Sequence, residues 1–153
     1  MTKEQYMQIA LELARQAATA DEVPVGAVVV DRESGEILAQ ACNQSAHNGD
    51  ATSHAEILAI RQACAKLQTT RLWDADIYVT LEPCTMCAAA ISFARINTLY
   101  FGAEDEKGGA VVNGVKFYEA PTCHHRPQVE SGICADECAQ LLKDFFKTKR
   151  NKS

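Results

Sequence analysis

The segment Val79–Ala90, Val-Thr-Leu-Glu-Pro-Cys-Thr-Met-Cys-Ala-Ala-Ala, constrains this chain more than any other. An apolar run ends at Leu81, Pro83 sets a turn, and an alanine-rich run suited to a helix begins near Thr85. Cys84 and Cys87 stand three residues apart at that helix start, so both sulfurs can face one object. The free N–H groups and the dipole of a helix start favour thiolate. A metal ion is the natural object, and the rest of the chain must supply what completes its shell.

His54 is the best candidate for a third ligand, because it too stands at the start of a helix candidate. Two helix tips can then converge on one ion from neighbouring strand ends. Zinc with three protein ligands keeps a fourth position open for catalysis, whereas a fourth protein ligand makes the site structural. Glu56 is too close in sequence to His54 to ligate beside it easily. It can instead exchange a proton with water in the open position. Each element alone is ambiguous. A Cys-x-x-Cys also fits a redox dithiol, structural zinc or plain core, and a lone histidine is more often just hydrogen-bonded. A redox reading leaves Pro83 and Ser53-His54-Ala55-Glu56 without a purpose. The combined pattern favours catalytic zinc, one ion per subunit, held by His54, Cys84 and Cys87, with Glu56 catalytic.

Hydrophobic periodicity predicts the frame around this site. Thr2 to Ala20 reads as a helix with Tyr6, Ile9, Leu13 and Ala17 on one face. Val25 to Asp31 and Ile37 to Asn43 read as a hairpin, and Gln44 to Thr52 as a polar loop. A helix then runs from Ser53 or His54 to about Gln68, with Ile57, Leu58, Ile60 and Ala63 as its apolar content. Strands are expected at Asp76 to Leu81 and Asn97 to Gly102, with a helix at Thr85 to Ala94 between them. Glu104 to Pro127 should be mostly loop with a short helix, and Gln128 to Ser131 a short strand. The last helix is expected from Cys134 to about Arg150. Alternating strands and helices make an α/β sheet covered on both faces, and the first hairpin makes it mixed.

A length of 153 residues suits one domain with a core that needs no disulfides. The longest apolar stretch, near Val23 to Val30, is too short to cross a bilayer. No secretory pattern opens the sequence, so a reducing, cytoplasmic setting is expected for its seven cysteines. Cys42 and Cys64 read as core. Cys123, Cys134 and Cys138 read more simply as buried small hydrophobes than as a second zinc site. Net charge is −5, which disfavours non-specific binding to nucleic acid. The end differs: Lys143, Lys147, Lys149, Arg150 and Lys152 face only Asp144. Such a basic helix suits an acidic partner, or is simply a solvated helix end.

Ser53-His54-Ala55-Glu56 and Pro83-Cys84-Thr85-Met86-Cys87 resemble the zinc-dependent nucleoside and nucleobase deaminases. More narrowly, the chain resembles the bacterial tRNA-specific adenosine deaminases from about Tyr6 to Arg150. Glu22-Val23-Pro24-Val25-Gly26-Ala27, Cys123-His124-His125-Arg126-Pro127 and the ending Asp136 through Phe146 carry that likeness. The resemblance implies a three-layer α/β/α cytidine-deaminase-like fold around a five-stranded mixed sheet, usually as a homodimer. It implies hydrolytic conversion of adenosine to inosine at the wobble position (34) of a tRNA anticodon, in bacteria an arginine tRNA with anticodon ACG. It also implies that Asn43 binds the flipped-out base and Val25 walls its pocket. Asp105 and Lys107 would sit near the anticodon, and Phe146 near neighbouring nucleotides.

Asn43 also suits strand-end turn chemistry, and Val25 also suits the core. Phe145 and Phe146 point different ways on a helix, so one is expected in the core and the other free to stack on a base. Ser53 stands where the family often has alanine, and Gln44 where a basic residue is sometimes found. Two other function classes use the same residues: a free guanine or cytosine deaminase, and a non-catalytic RNA-binding subunit with structural zinc. The basic, aromatic last helix disfavours the first and Glu56 the second.

Overall fold

The computed structural model describes residues 1–151; Lys152, counted above in the basic end, lies outside them. Among the described residues, five strands form one sheet in the order β2-β1-β3-β4-β5. These are β1 (Gly26–Asp31), β2 (Ile37–Cys42), β3 (Ala75–Leu81), β4 (Thr98–Ala103) and β5 (Gln128–Glu130). β1 runs antiparallel to both β2 and β3, whereas β3, β4 and β5 are parallel, so the sheet is mixed as expected. The helices are α1 (Lys3–Thr19), α2 (Ser45–Asn48), α3 (Ala55–Leu67), α4 (Thr85–Phe93) and α5 (Ala135–Asn151). A 3-10 turn lies at Phe117–Glu119 in the long connection after β4.

The two-residue period of β1 divides the core into two layers. Val28 and Val30 face α1, packing with Tyr6, Met7, Ala10 and Leu11. Ala27 and Val29 face α3 and α4, packing with Ala55, Ala59, Ala63, Ala88 and Ile91. The result is a three-layer α/β/α arrangement. Small residues on the buried faces, Ala10 and Ala14 of α1 and Ala55, Ala59 and Ala63 of α3, let these helices lie close to the sheet. α1 buries Met7, Ala10, Leu11 and Ala14 beside Tyr6 and Ala17, leaving Ile9 and Leu13 half-buried. The expected stripe is therefore rotated by about one position. Gly26 explains why: a Cβ there would run into the Ala10 carbonyl, so the α1 backbone rests directly on β1. α3 follows the same rule, burying Ala55, Ala59 and Ala63 while Ile57, Leu58 and Ile60 stay half-buried.

Local chemistry sets the ends. Thr2 caps α1 in a reciprocal box with Gln5, each side chain taking the other's backbone N–H. Two expectations need correction. The polar segment after β2 contains a short helix, α2, rather than loop alone. Cys42 and Cys64 are half-buried rather than core; Cys123 and Cys138 are buried as expected, whereas Cys134 is only half-buried. Among the described residues, no helix is long and apolar enough to cross a membrane.

Candidate metal centre

The mixed order brings several strand ends to one rim of the sheet. The ends of β2, β3 and β4 and the start of β1 all lie there, because β1 alone runs against β2 and β3 while β3 and β4 run together. Crevices at the carboxyl ends of strands are the usual ligand sites of such sheets. On this rim α3 and α4 begin.

His54 is the N-cap of α3 and Cys84 the N-cap of α4, yet neither side chain caps its own helix. Both instead turn toward one point. His54 Nδ1 lies 3.7 Å from Cys84 Sγ and 3.5 Å from Cys87 Sγ. The three donor atoms lie within 4.8 Å of one another, and among the described residues no other His, Cys, Asp or Glu joins this cluster. Tetrahedral zinc at its usual bond lengths holds nitrogen and sulfur ligands about 3.6 Å apart. The donor set and its spacing therefore fit zinc, with one position of the tetrahedron left by the protein. Cys84 is suited to bind as thiolate. The Cys87 thiol beside it, the Cys87 and Met86 N–H groups and His54 outweigh burial and bring its pKa down to about 5. Cys87 is pushed up by that same pairing, by burial and by the Glu56 carboxylate.

Glu56 sits in the first turn of α3, only 4% exposed, beside the cluster. Burial raises its pKa to about 7, and the nearby Cys84 adds to the rise. Behind α4, the Tyr118 hydroxyl donates to the Ala88 carbonyl at 2.8 Å and holds that helix against the connection after β4.

The cluster opens into a pocket of roughly 310 Å3, at the small end of the range for ligand sites. His54, Glu56 and Cys84 line it together with Val25, Asn43 and Asp105. Val25 is both pocket wall and core, packed with Ala27 and Val79. Asp105 borders the pocket while its Oδ1 accepts the N–H groups of Lys107 and Gly108, at 3.1 and 2.9 Å, forming its own turn. Lys107 and Phe146 do not reach this pocket. They line a neighbouring outer groove of roughly 400 Å3, which shares Leu81 and Asp105 with the inner one. Phe146 is 45% exposed. Phe145 is half-buried in a second groove against the end of α1, with Lys149 over its ring, so neither phenylalanine is core as expected for one of them.

Two carboxylates that sequence reasoning did not single out shape the pocket mouth. Glu22 is buried and accepts the Ala46 and His47 N–H groups at 3.1 and 2.8 Å, with His47 Nδ1 at 2.7 Å. It thereby supports α2, whose Ser45 also lines the pocket. Glu82, at the end of β3, holds the loop after β4. The available signal at Glu82 was a lone acidic residue in the otherwise uncharged run from 77 to 94; Glu22, next to Asp21, offered no such signal.

With this geometry in hand, comparison with known proteins is direct. A family model described as MafB19-like deaminase matches residues 1–150. A tRNA-specific adenosine deaminase of Agrobacterium fabrum is 55% identical over 145 residues, covering 95% of this chain and 94% of the relative. That of Bacillus subtilis is 40% identical over 153 residues, covering 99% and 94%. A solved structure from work on A-to-I editing by tRNA:A34 deaminases superposes with a TM-score of 0.89 at 54% identity, covering 92% of this chain and all of that one. A guanine deaminase from Nitrosomonas europaea superposes at 0.83 with 26% identity, covering 94% and 84%. The family model, the relatives and the fold agree: the chain belongs to the tRNA-specific adenosine deaminase family, within the MafB19-like deaminases of the cytidine-deaminase superfamily.

Proposed function

We propose that this protein hydrolytically deaminates adenosine to inosine in tRNA, at the wobble position (34) of the anticodon, in an arginine tRNA with anticodon ACG. The observation that carries the reading is the convergence of His54, Cys84 and Cys87 beside buried Glu56, at the floor of a pocket walled by Val25 and Asn43. Zinc held by such a donor set supplies the Lewis acidity that makes water a nucleophile near neutral pH. With zinc held there, buried Glu56 would take one proton from the attacking water and deliver it to a purine ring nitrogen; it would then take the second proton from the hydroxyl added at C6 and pass it to the amino group, which leaves as ammonia. Asn43 offers an amide to the base edge, and Val25 an apolar surface to its face.

A base deep enough to reach Glu56 must be turned out of its strand, and its neighbours then lie in the outer groove. Phe146 suits a stacked base there, and Lys107 and Lys143 suit phosphates. Asp105, shared by both cavities, would contact the nucleotide between them. The reading includes a single deaminase domain with a basic C-terminal helix, working as a homodimer in the cytoplasm with one zinc per subunit. A free guanine or cytosine deaminase is the competing reading on the same chemistry, and the outer groove would have no purpose in it. The deciding experiment incubates purified protein with an ACG anticodon stem-loop and with free nucleosides and bases. Inosine at the wobble position and no ammonia from the small molecules support the reading; the reverse result overturns it.

A further inference from the structure

Glu82 is only 2% exposed and points from the end of β3 into the loop that follows β4. Its Oε1 accepts the Asp105 N–H at 3.0 Å and the Asn113 side-chain amide at 2.7 Å. Its Oε2 accepts the N–H groups of Val111, Val112 and Asn113 at 3.0, 2.9 and 3.0 Å. The backbone folds around the anion so closely that a Cβ on Gly109 would run into the carboxylate. One residue further along the chain, the Pro83 carbonyl accepts the Ala110 N–H at 2.9 Å. The same loop is thus fastened at two successive residues, immediately ahead of Cys84.

Burying a carboxylate is costly, and backbone N–H groups recover that cost only when they converge on it. What this arrangement fixes is the outer wall of the pocket. Asp105 and Gly108 line the inner pocket with His54, Glu56 and Cys84, while Asp105 and Lys107 line the outer groove. The loop takes its position from β3 rather than from a helix or strand of its own. We propose that Glu82 is a positioning residue that locks the loop from Asp105 to Asn113 onto the strand end carrying Cys84. The wall that meets the polynucleotide and the metal ligands then keep a fixed separation. The inference deepens the tRNA reading and rests on it, since only a substrate reaching beyond the inner pocket senses this wall.

The test uses Glu82→Gln, which keeps size but removes the charge and turns an amide N–H toward loop donors. Amide hydrogen exchange at Asp105 and at Val111 to Asn113 should quicken by about tenfold or more, as expected for one charge-assisted bond lost. KM for the ACG stem-loop should rise about tenfold while kcat stays within roughly threefold, because the loop binds but does not react. Zinc content should match wild type. Unchanged exchange and KM in a folded, zinc-loaded variant overturn the proposal. So does a loss of activity that follows zinc loss in proportion, since Glu82 would then support Cys84 instead. If Glu82→Gln does not fold, Asn113→Asp decides by the same readouts. That residue is only partly buried, and the change sets a like charge against Glu82. Wild-type protein that leaves the stem-loop unedited overturns the tRNA reading, and the exchange rates then decide the anchor by themselves.

Discussion

His54 Nδ1 stands 3.5 Å from Cys87 Sγ, although 33 positions and the whole of β3 separate the two residues. Each lies at the first turn of its own helix, and both helices pack on the same face of the sheet. The distance is a product of the fold, because no local segment holds the two together.

It follows that Cys87→Ala should break the site without breaking the core. The residue is buried, but its loss removes one small side chain from a helix that still buries Ala88, Ile91 and Ser92. Zinc affinity should fall by at least about 100-fold and deamination should vanish. Zinc titration checks this, together with chelation of the wild type, where added zinc should restore activity. A variant that keeps wild-type zinc affinity would remove Cys87 from the ligand set.

Glu56→Ala should do the opposite: keep the metal and lose the reaction. Its carboxylate stands beside the three donors but outside their cluster. The expected loss in kcat is about 100- to 10,000-fold, the usual worth of a positioned acid–base group. Zinc analysis and single-turnover inosine formation check it. Near-wild-type turnover would sink the proposed mechanism.

Removing the chain after Leu142 should weaken binding of the stem-loop and spare the zinc. None of the described α5 side chains after Cys138 is fully buried. What ties this part of α5 to the end of α1 includes a Lys149–Asp21 ion pair and the groove that Phe145 shares with Ala18. With Phe146 gone, a stacking interaction of about 1–3 kcal/mol is lost, so Kd should rise by roughly 5- to 150-fold. Equal affinity before and after truncation would withdraw the role given to this helix.

Glu22→Gln should give a pH-dependent stability change. Burial pushes the Glu22 carboxyl up, but the His47 and Ala46 N–H groups and the His47 ring outweigh it and hold it below the usual range. A lowered folded-state value stabilises the protein above the unfolded pKa, and that contribution fades as pH falls through the folded one. The variant should therefore unfold at lower urea than wild type at pH 7, by about 1–3 kcal/mol. The gap should narrow below about pH 4.3, the ordinary glutamate value. Urea midpoints at pH 7, 5 and 4 measure it; a constant gap would contradict the assignment.

Much of this molecule was legible in the linear sequence, and the limits have physical causes. Thr2 and Gln5 announce the start of α1, and Pro83 with the two cysteines announces α4, because caps and turns act over a few residues. The cluster of His54, Cys84 and Cys87 was legible because two short motifs each place a possible metal donor at a helix start. α2 was not, since its support is the Glu22 carboxylate more than twenty positions earlier. The α1 stripe came out rotated because Gly26, on another element, admits the backbone around Ala10. Phe145 and Phe146 were misjudged together. Adjacency on a helix says that they diverge, but not that both directions lead into surface grooves. Glu82 was visible as a letter in a motif, yet its five hydrogen bonds among the described residues come from a loop twenty-three and more residues away.

The mixed sheet gathers every pocket-lining strand end on one rim, which leaves the other rim free of that chemistry. Its turns, at 32–36 and 68–74, are where a tether, a label or a second protein module can be grafted. Cargo attached there would trail behind the face that carries the donor cluster instead of crossing the mouth of its pocket.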